Sequence, residues 1–281
     1  MQLSLPSLLK RNGGTAPRNG RQAPMPPLEG PKTLMAIMAH PDDIDFTSAG
    51  SVAKWCAEGW TVYYVLATSG DKGTHEDRTR QELAAMREQE QREAAEVLGV
   101  REVIFLGYPD GFVYATPELR GQVVRLLKKY KVDVVLTWDG FRSGFNHNDH
   151  RNIGIAVRDA VYPAVRDHLY YEEHLAEGLD ARPVNELLLA GADGPDYFVD
   201  ITDFIETKVD AILCHRSQVS TRDRDETLKR QRQQGRRRGR SGNFESFKRV
   251  RIGRPPRLQQ NEAPAAVHQE AAPAGASQSS S

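Results

Sequence analysis

The stretch TLMAIMAHPDDIDF (33–46) changes character abruptly, from an apolar run to an imidazole flanked by carboxylates. TLMAIMA (33–39) carries no charge and no clean polar–apolar alternation, the pattern of a strand covered on both faces. Pro41 lacks an N–H and does not continue such a strand, and His40, Asp42 and Asp43 crowd around it. Three ionisable groups side by side at a buried strand end call for a chemical reason.

Four further apolar runs follow: TVYYVLAT (61–68), EVIFLG (102–107), VDVVLTW (132–138) and VNELLLA (184–190). Helical patterns fill the gaps. SAGSVAKWCAEG (48–59) follows the first strand. RQELAAMREQEQREAAEVLG (80–99) follows the second, with Leu83, Met86, Ala94 and Leu98 on a helical period and Gly99 as C-cap. PELRGQVVRLLKKY (117–130) and DHRNIGIAVRDAVY (149–162) follow the third and fourth. This alternation predicts an α/β fold, a Rossmann-like three-layer sandwich with a mainly parallel sheet, flanked by disordered termini. Residues 1–30, rich in Gly, Pro, Arg and Asn, read as a flexible extension, and 31–257 as the folded domain. Residues 258–281, mostly Gln, Ala, Pro and Ser, read as a low-complexity tail with too little apolar surface to order itself.

Lys+Arg and Asp+Glu both number 38, so no global field points to nucleic acid or an anionic membrane. The basic run KRQRQQGRRRGR (229–240) has no interleaved aromatics and reads as a solvated helix or loop. No stretch approaches the roughly 20 apolar residues of a membrane span. MQLSLPSLLKRNGG (1–14) lacks the basic start and long apolar core of a signal peptide. Cys56 and Cys214 lie far apart in sequence and suit a reducing compartment, so the expected location is cytoplasmic.

The fourth strand supplies the second half of the argument. It is followed by DGFRSGFNHNDHRN (139–152), which sets His147, Asp149 and His150 just past another strand end. In a sheet of order 3-2-1-4-5, strands one and four are neighbours where the order reverses, so the two loops face each other. Catalytic zinc takes three His or carboxylate ligands and leaves one position open. His40, Asp43 and one histidine of the second loop supply three such ligands. Spacing alone lets either His147 or His150 be that one. A cation there lowers the pKa of its water to about 7. Asp42 is then placed to take the water's proton. The remaining histidine can stabilise an oxyanion and protonate a departing amine, with Asp149 fixing its tautomer.

These residues resemble the LmbE/PIG-L family of zinc-dependent N-acetylglucosaminyl deacetylases. The likeness runs from about residue 33 to about 250, through AHPDD (39–43), TSGDKG (68–73), LGYPDG (106–111), HNDH (147–150), CHRSQ (214–218) and GNFESF (242–247). The resemblance implies that His40, Asp43 and His150 bind Zn2+, or Fe2+, which suits the same donors. It implies Asp42 as the base and His147 as the acid or oxyanion partner held by Asp149. It also implies that Arg87 and Asp110 contact the sugar of a small amino-sugar conjugate, and it leaves room for a homo-oligomer. One departure is that Asn148 stands where the family's HPDH motif has proline.

Simpler roles compete with these. Asp42 or Asp43 can cap a helix starting near Ser48. Arg87 can pair with Glu90 on a solvated helix face, and Asp110 can be an ordinary turn residue. His215, which ends FIETKVDAILCH (204–215), fits a satisfied core histidine or one supporting the site, and His75 an idle loop histidine. A non-catalytic binding module competes with the enzyme. However, no G-x-G-x-x-G follows the first strand, and two aspartates there would repel a pyrophosphate. The same metal chemistry on another acylated amino sugar or natural product is the nearer alternative.

Overall fold

The structure is a computed structural model and describes residues 25–74, 77–219, 223–236 and 241–252. The five expected strands are β1 (Thr33–Met38), β2 (Thr61–Thr68), β3 (Glu102–Tyr108), β4 (Val134–Trp138) and β5 (Glu186–Ala190). They pair in parallel in the order β3-β2-β1-β4-β5, so β1 lies beside β4 with Ile37 opposite Thr137. Every residue of β4, and Leu34 to Met38 of β1, is buried, which is why these runs show no alternation.

Helices α1 (Asp43–Ala57), α2 (Arg80–Leu98), α3 (Pro117–Lys129) and α4 (Asn148–Val161) link the strands, and α5 (Ile205–Cys214), α6 (Arg216–Val219) and α7 (Arg224–Gln234) follow. α1, α2, α5 and α7 form one layer and α3 and α4 the other, giving the three-layer sandwich. Local chemistry sets the helix ends. Thr79 accepts from the Glu82 N–H while Glu82 reaches back to the Thr79 N–H, and Gly99 closes α2 in the left-handed conformation. α1 begins at Asp43, five residues before the expected start, because the chain turns helical directly after Asp42.

Two strands lie outside the expected set. β6 (Tyr197–Asp200) forms the sheet edge, and β7 (Phe244–Arg251) runs antiparallel between β5 and β6. The buried positions of β7 include Glu245, Phe247 and Arg249, so its alternation is hidden by charge. Glu245 accepts from the Gly50 and Ser51 N–H groups in the middle of α1, at 3.1 and 2.7 Å, and pairs with Lys208 at 2.6 Å. Arg249 pairs with Glu186 at 2.6 Å and donates to the Pro26 carbonyl. Glu245→Ala is expected to cost about 3–5 kcal/mol, because it leaves the buried Lys208 ammonium without its counter-charge. Denaturant unfolding of the full chain measures it.

Met25 donates to the Asp196 carbonyl and Leu28 to the Tyr197 hydroxyl, and both side chains pack on the core, so the described chain is docked from Met25 onward. The low-complexity tail, His75 and Arg237 to Arg240 lie outside the described residues. The described basic residues of the run, Lys229, Arg230, Arg232 and Arg236, are exposed, while Gln231 between them is buried. Cys56 and Cys214 are free thiols, and no described helix is long and apolar enough to cross a membrane.

Candidate metal centre

The carboxyl ends of β1 and β4 bring the two loops together. Gly154 allows the close fit: a Cβ there would lie 2.5 Å from the Trp138 carbonyl oxygen and 2.7 Å from the Gly140 nitrogen. Glycine at 154 therefore lets α4 press against the end of β4, with His147 and His150 at its N-terminus.

Three donor side chains converge. His40 Nδ1 lies 3.2 Å from His150 Nε2 and 3.5 Å from Asp43 Oδ2, and His150 Nε2 lies 3.1 Å from Asp43 Oδ1. Tetrahedral ligands about 2.0–2.2 Å from one zinc ion stand about 3.3–3.6 Å from each other, close to these separations. Asp43 Oδ2 is already occupied by the Ala39 and His40 N–H groups and the Trp138 Nε1–H, at 3.2, 2.9 and 3.1 Å. Oδ1 is the oxygen left to ligate. Trp138 also stacks on His150, with ring centroids 4.3 Å apart, and so holds both Asp43 and His150.

The tautomer of His40 follows from its other nitrogen. Nε2 lies 3.2 Å from Asp149 Oδ2 and 3.3 Å from Asp110 Oδ1. Ionised carboxylates only accept, so Nε2 carries a hydrogen, and Nδ1 is the nitrogen that faces His150 and Asp43. Burial alone would depress the His40 pKa, but its hydrogen bonds to Asp110, Asp149 and Asp43 push it up to about 12. Burial, then the neighbouring Asp43 charge, pushes the Asp42 carboxyl up to about 8. Carboxylates crowd this centre, and the donor set calls for positive charge; a divalent cation fits it.

The remaining expected residues sit as follows. Asp42 stands at the N-cap position of α1, yet its carboxylate makes no cap hydrogen bond, so the simple capping role does not describe it. Its backbone adopts φ 89°, a left-handed value uncommon for a residue with a side chain. His147 Nδ1 accepts from the Asp149 backbone N–H at 3.2 Å, leaving Nε2–H as its donor when neutral. Burial, then the charges of His40 and His150, lowers its pKa.

Two positions differ from expectation. The Asp149 carboxylate does not reach His147. It is fixed by the Gly111 and Val113 N–H groups at 2.7 and 3.1 Å and faces His40. Arg87 is buried and does not pair with Glu90, which instead accepts from Ser217. Arg87 donates to the Gly70 and Lys72 carbonyls at 2.5 and 2.7 Å, so its guanidinium clamps the loop after β2. Asp110 contacts His40 and accepts from the Lys72 N–H at 3.2 Å.

The chain is similar to several known proteins. A family model described as PIG-L, GlcNAc-PI de-N-acetylase, matches residues 35–161. Diacetylchitobiose deacetylase from Thermococcus kodakarensis is 32% identical over 193 residues, covering 68% of this chain and 72% of the relative. The chain belongs to the PIG-L/LmbE family. A second family member, 1D-myo-inositol 2-acetamido-2-deoxy-alpha-D-glucopyranoside deacetylase from Actinosynnema mirum, is 27% identical over 69% of this chain and 83% of its own. Among solved structures, the PIG-L/LmbE chain superposes on N,N'-diacetylchitobiose deacetylase from Pyrococcus horikoshii with a TM-score of 0.71 and 29% identity. That match covers 78% of this chain and 84% of the other.

Sequence reasoning missed Trp138, Asp45 and Gln91. Trp138 reads as one more apolar strand residue, and its indole N–H gains meaning only once Asp43 is beside it. Asp45 and Gln91 are fully buried beneath the site, where Asp45 contacts His215 Nε2 at 2.8 Å. His215 is thus the supporting core histidine anticipated as its simple role.

Proposed function

We propose that the chain is a metal-dependent N-deacetylase that removes the acetyl group from an N-acetylglucosamine-containing conjugate. The observation that carries the reading is the meeting of His40 Nδ1, the Asp43 carboxylate and His150 Nε2, with Asp42, whose carboxylate makes no cap hydrogen bond, beside them. His40, Asp43 and His150 would hold zinc or ferrous iron, which supplies Lewis-acid polarisation of the amide and an acidified water.

The chain's own groups do the rest. Asp42 accepts a proton from the attacking water, and its carboxylate is not spent on capping α1. His147 presents Nε2–H to the carbonyl oxygen as negative charge develops, because its Nδ1 is occupied by the Asp149 N–H. As the C–N bond breaks, the proton that Asp42 took from the water passes to the nitrogen, which leaves as an amine while the acyl group leaves as acetate. Asp149 and Asp110 hold His40 in the tautomer that frees Nδ1. The relatives named as deacetylases of diacetylchitobiose and of a glucosaminyl inositol support an N-acetylglucosamine unit at the reacting end.

A fluorescamine assay for released amine tests this on a panel comprising N-acetylglucosamine, N,N'-diacetylchitobiose and N-acetylglucosaminyl inositol and malate. Amine release from at least one glucosaminide, abolished by a chelator and restored by zinc, is the expected result. A metal-loaded chain that releases none from the whole panel sinks the proposal, and release that ignores the chelator sinks its metal dependence.

A further inference from the structure

Beneath Asp42 lies a buried polar chain that the mechanism does not use. The Asp42 N–H donates to Gln91 Oε1 at 2.9 Å, and Gln91 Nε2 donates to Asp45 Oδ2 at 2.7 Å. The same Asp45 oxygen meets His215 Nε2 at 2.8 Å, and the Tyr64 hydroxyl reaches Asp45 Oδ1 at 3.4 Å. Gln91, Asp45, His215 and Tyr64 are all fully buried.

The order of donors and acceptors has one solution. The Asp45 carboxylate only accepts, so the Gln91 amide must turn its NH2 toward Asp45 and its oxygen toward Asp42. That oxygen meets the backbone N–H of the residue in the left-handed conformation at the strand-to-helix turn. For a side chain with a Cβ this conformation costs on the order of 1–3 kcal/mol and persists only where its surroundings enforce it. The carboxylate of that residue is the one left free to act as base.

We propose that Gln91 is a positioning residue: oriented by the Asp45–His215 pair, its amide holds Asp42 in the left-handed turn and so aims the Asp42 carboxylate. The proposal rests on Asp42 acting as proton acceptor. It assigns a functional part to the face of α2 that also bears the loop clamp Arg87. Gln91 never touches substrate. It acts through one backbone N–H, and a misplacement of about 1 Å at a reacting group can cost about a hundredfold in rate.

The test uses the full, zinc-loaded chain. Gln91→Met keeps the shape of the side chain and removes both hydrogen bonds. It is expected to lower kcat by about 10–100-fold, with KM within about twofold and zinc content unchanged. The double swap Gln91→Glu/Asp45→Asn reverses the bond between positions 91 and 45, since the carboxylate at 91 accepts from both the Asp42 N–H and the new amide at 45. His215 then takes the tautomer whose Nε2 accepts from that amide. It is expected to return kcat to within about fivefold of the wild type. Undiminished kcat in Gln91→Met overturns the proposal, and so does a folded double swap as slow as Gln91→Met. Where Gln91→Met does not fold, the double swap decides alone. Amide hydrogen exchange gives a readout without turnover: the Asp42 N–H should be protected in the wild type and the double swap, and exposed in Gln91→Met. Equal protection in all three overturns the positioning role. Absence of amine release by the wild type would overturn only the deacetylase reading.

Discussion

His150→Ala is expected to empty the site of zinc, from about one ion per chain to under about 0.1 by elemental analysis, and to reduce deacetylation to background. The reason is geometric. His150 Nε2 is one vertex of the ligand triangle, within 3.2 Å of His40 Nδ1 and 3.1 Å of Asp43 Oδ1, and only two vertices survive its removal. Alanine also strips the ring that stacks on Trp138, which itself donates to Asp43, so the second loop loses its hold on the first. His147→Ala makes the control. It removes a ring about 5 Å from both other imidazoles whose Nδ1 is spent on a backbone N–H, so zinc should remain while the rate falls. Zinc lost equally from both variants would mean that the ligand assignment between them is wrong.

Asp42→Asn is the second large effect. It is expected to keep the zinc and lower kcat by roughly 10²–10⁴-fold, the range for removal of a general base. The amide has nearly the shape of the carboxylate, and the backbone hydrogen bond to Gln91 survives, so the fold should not change. The pH dependence separates a base from a bystander. Burial and the Asp43 charge raise the Asp42 pKa in the metal-free chain, and a bound cation draws it back down. A base works only when deprotonated, so the wild-type rate should rise with pH through this pKa and level off above it. The Asp42→Asn variant should lack that rise. Full activity in Asp42→Asn would remove Asp42 from the mechanism.

How much of this was legible in the sequence depends on where each side chain's partners lie. The five parallel strands were readable because burial on both faces leaves uninterrupted apolar runs, and the strand order then sets the HPDD and HNDH loops side by side. β7 was not, because Glu245 and Arg249 are buried charges whose partners, Lys208 and Glu186, lie 37 and 63 residues away. Local polarity cannot announce a pairing over that span. Arg87 misled for a related reason: it bonds carbonyl groups of a loop, and carbonyls leave no mark on side-chain identity. The target of Asp149 is set by the backbone N–H groups of Gly111 and Val113, which only the folded loop presents.

The seating of β7 bears on how the chain is made. Glu245 grips the middle of α1 directly behind the HPDD turn, yet it is synthesised about two hundred residues later. A ribosome-bound nascent chain already carries both histidine loops while the carboxylate that steadies the first of them is still untranslated. A fragment stopped before residue 244 would carry His40, Asp43 and His150 without the carboxylate that grips α1.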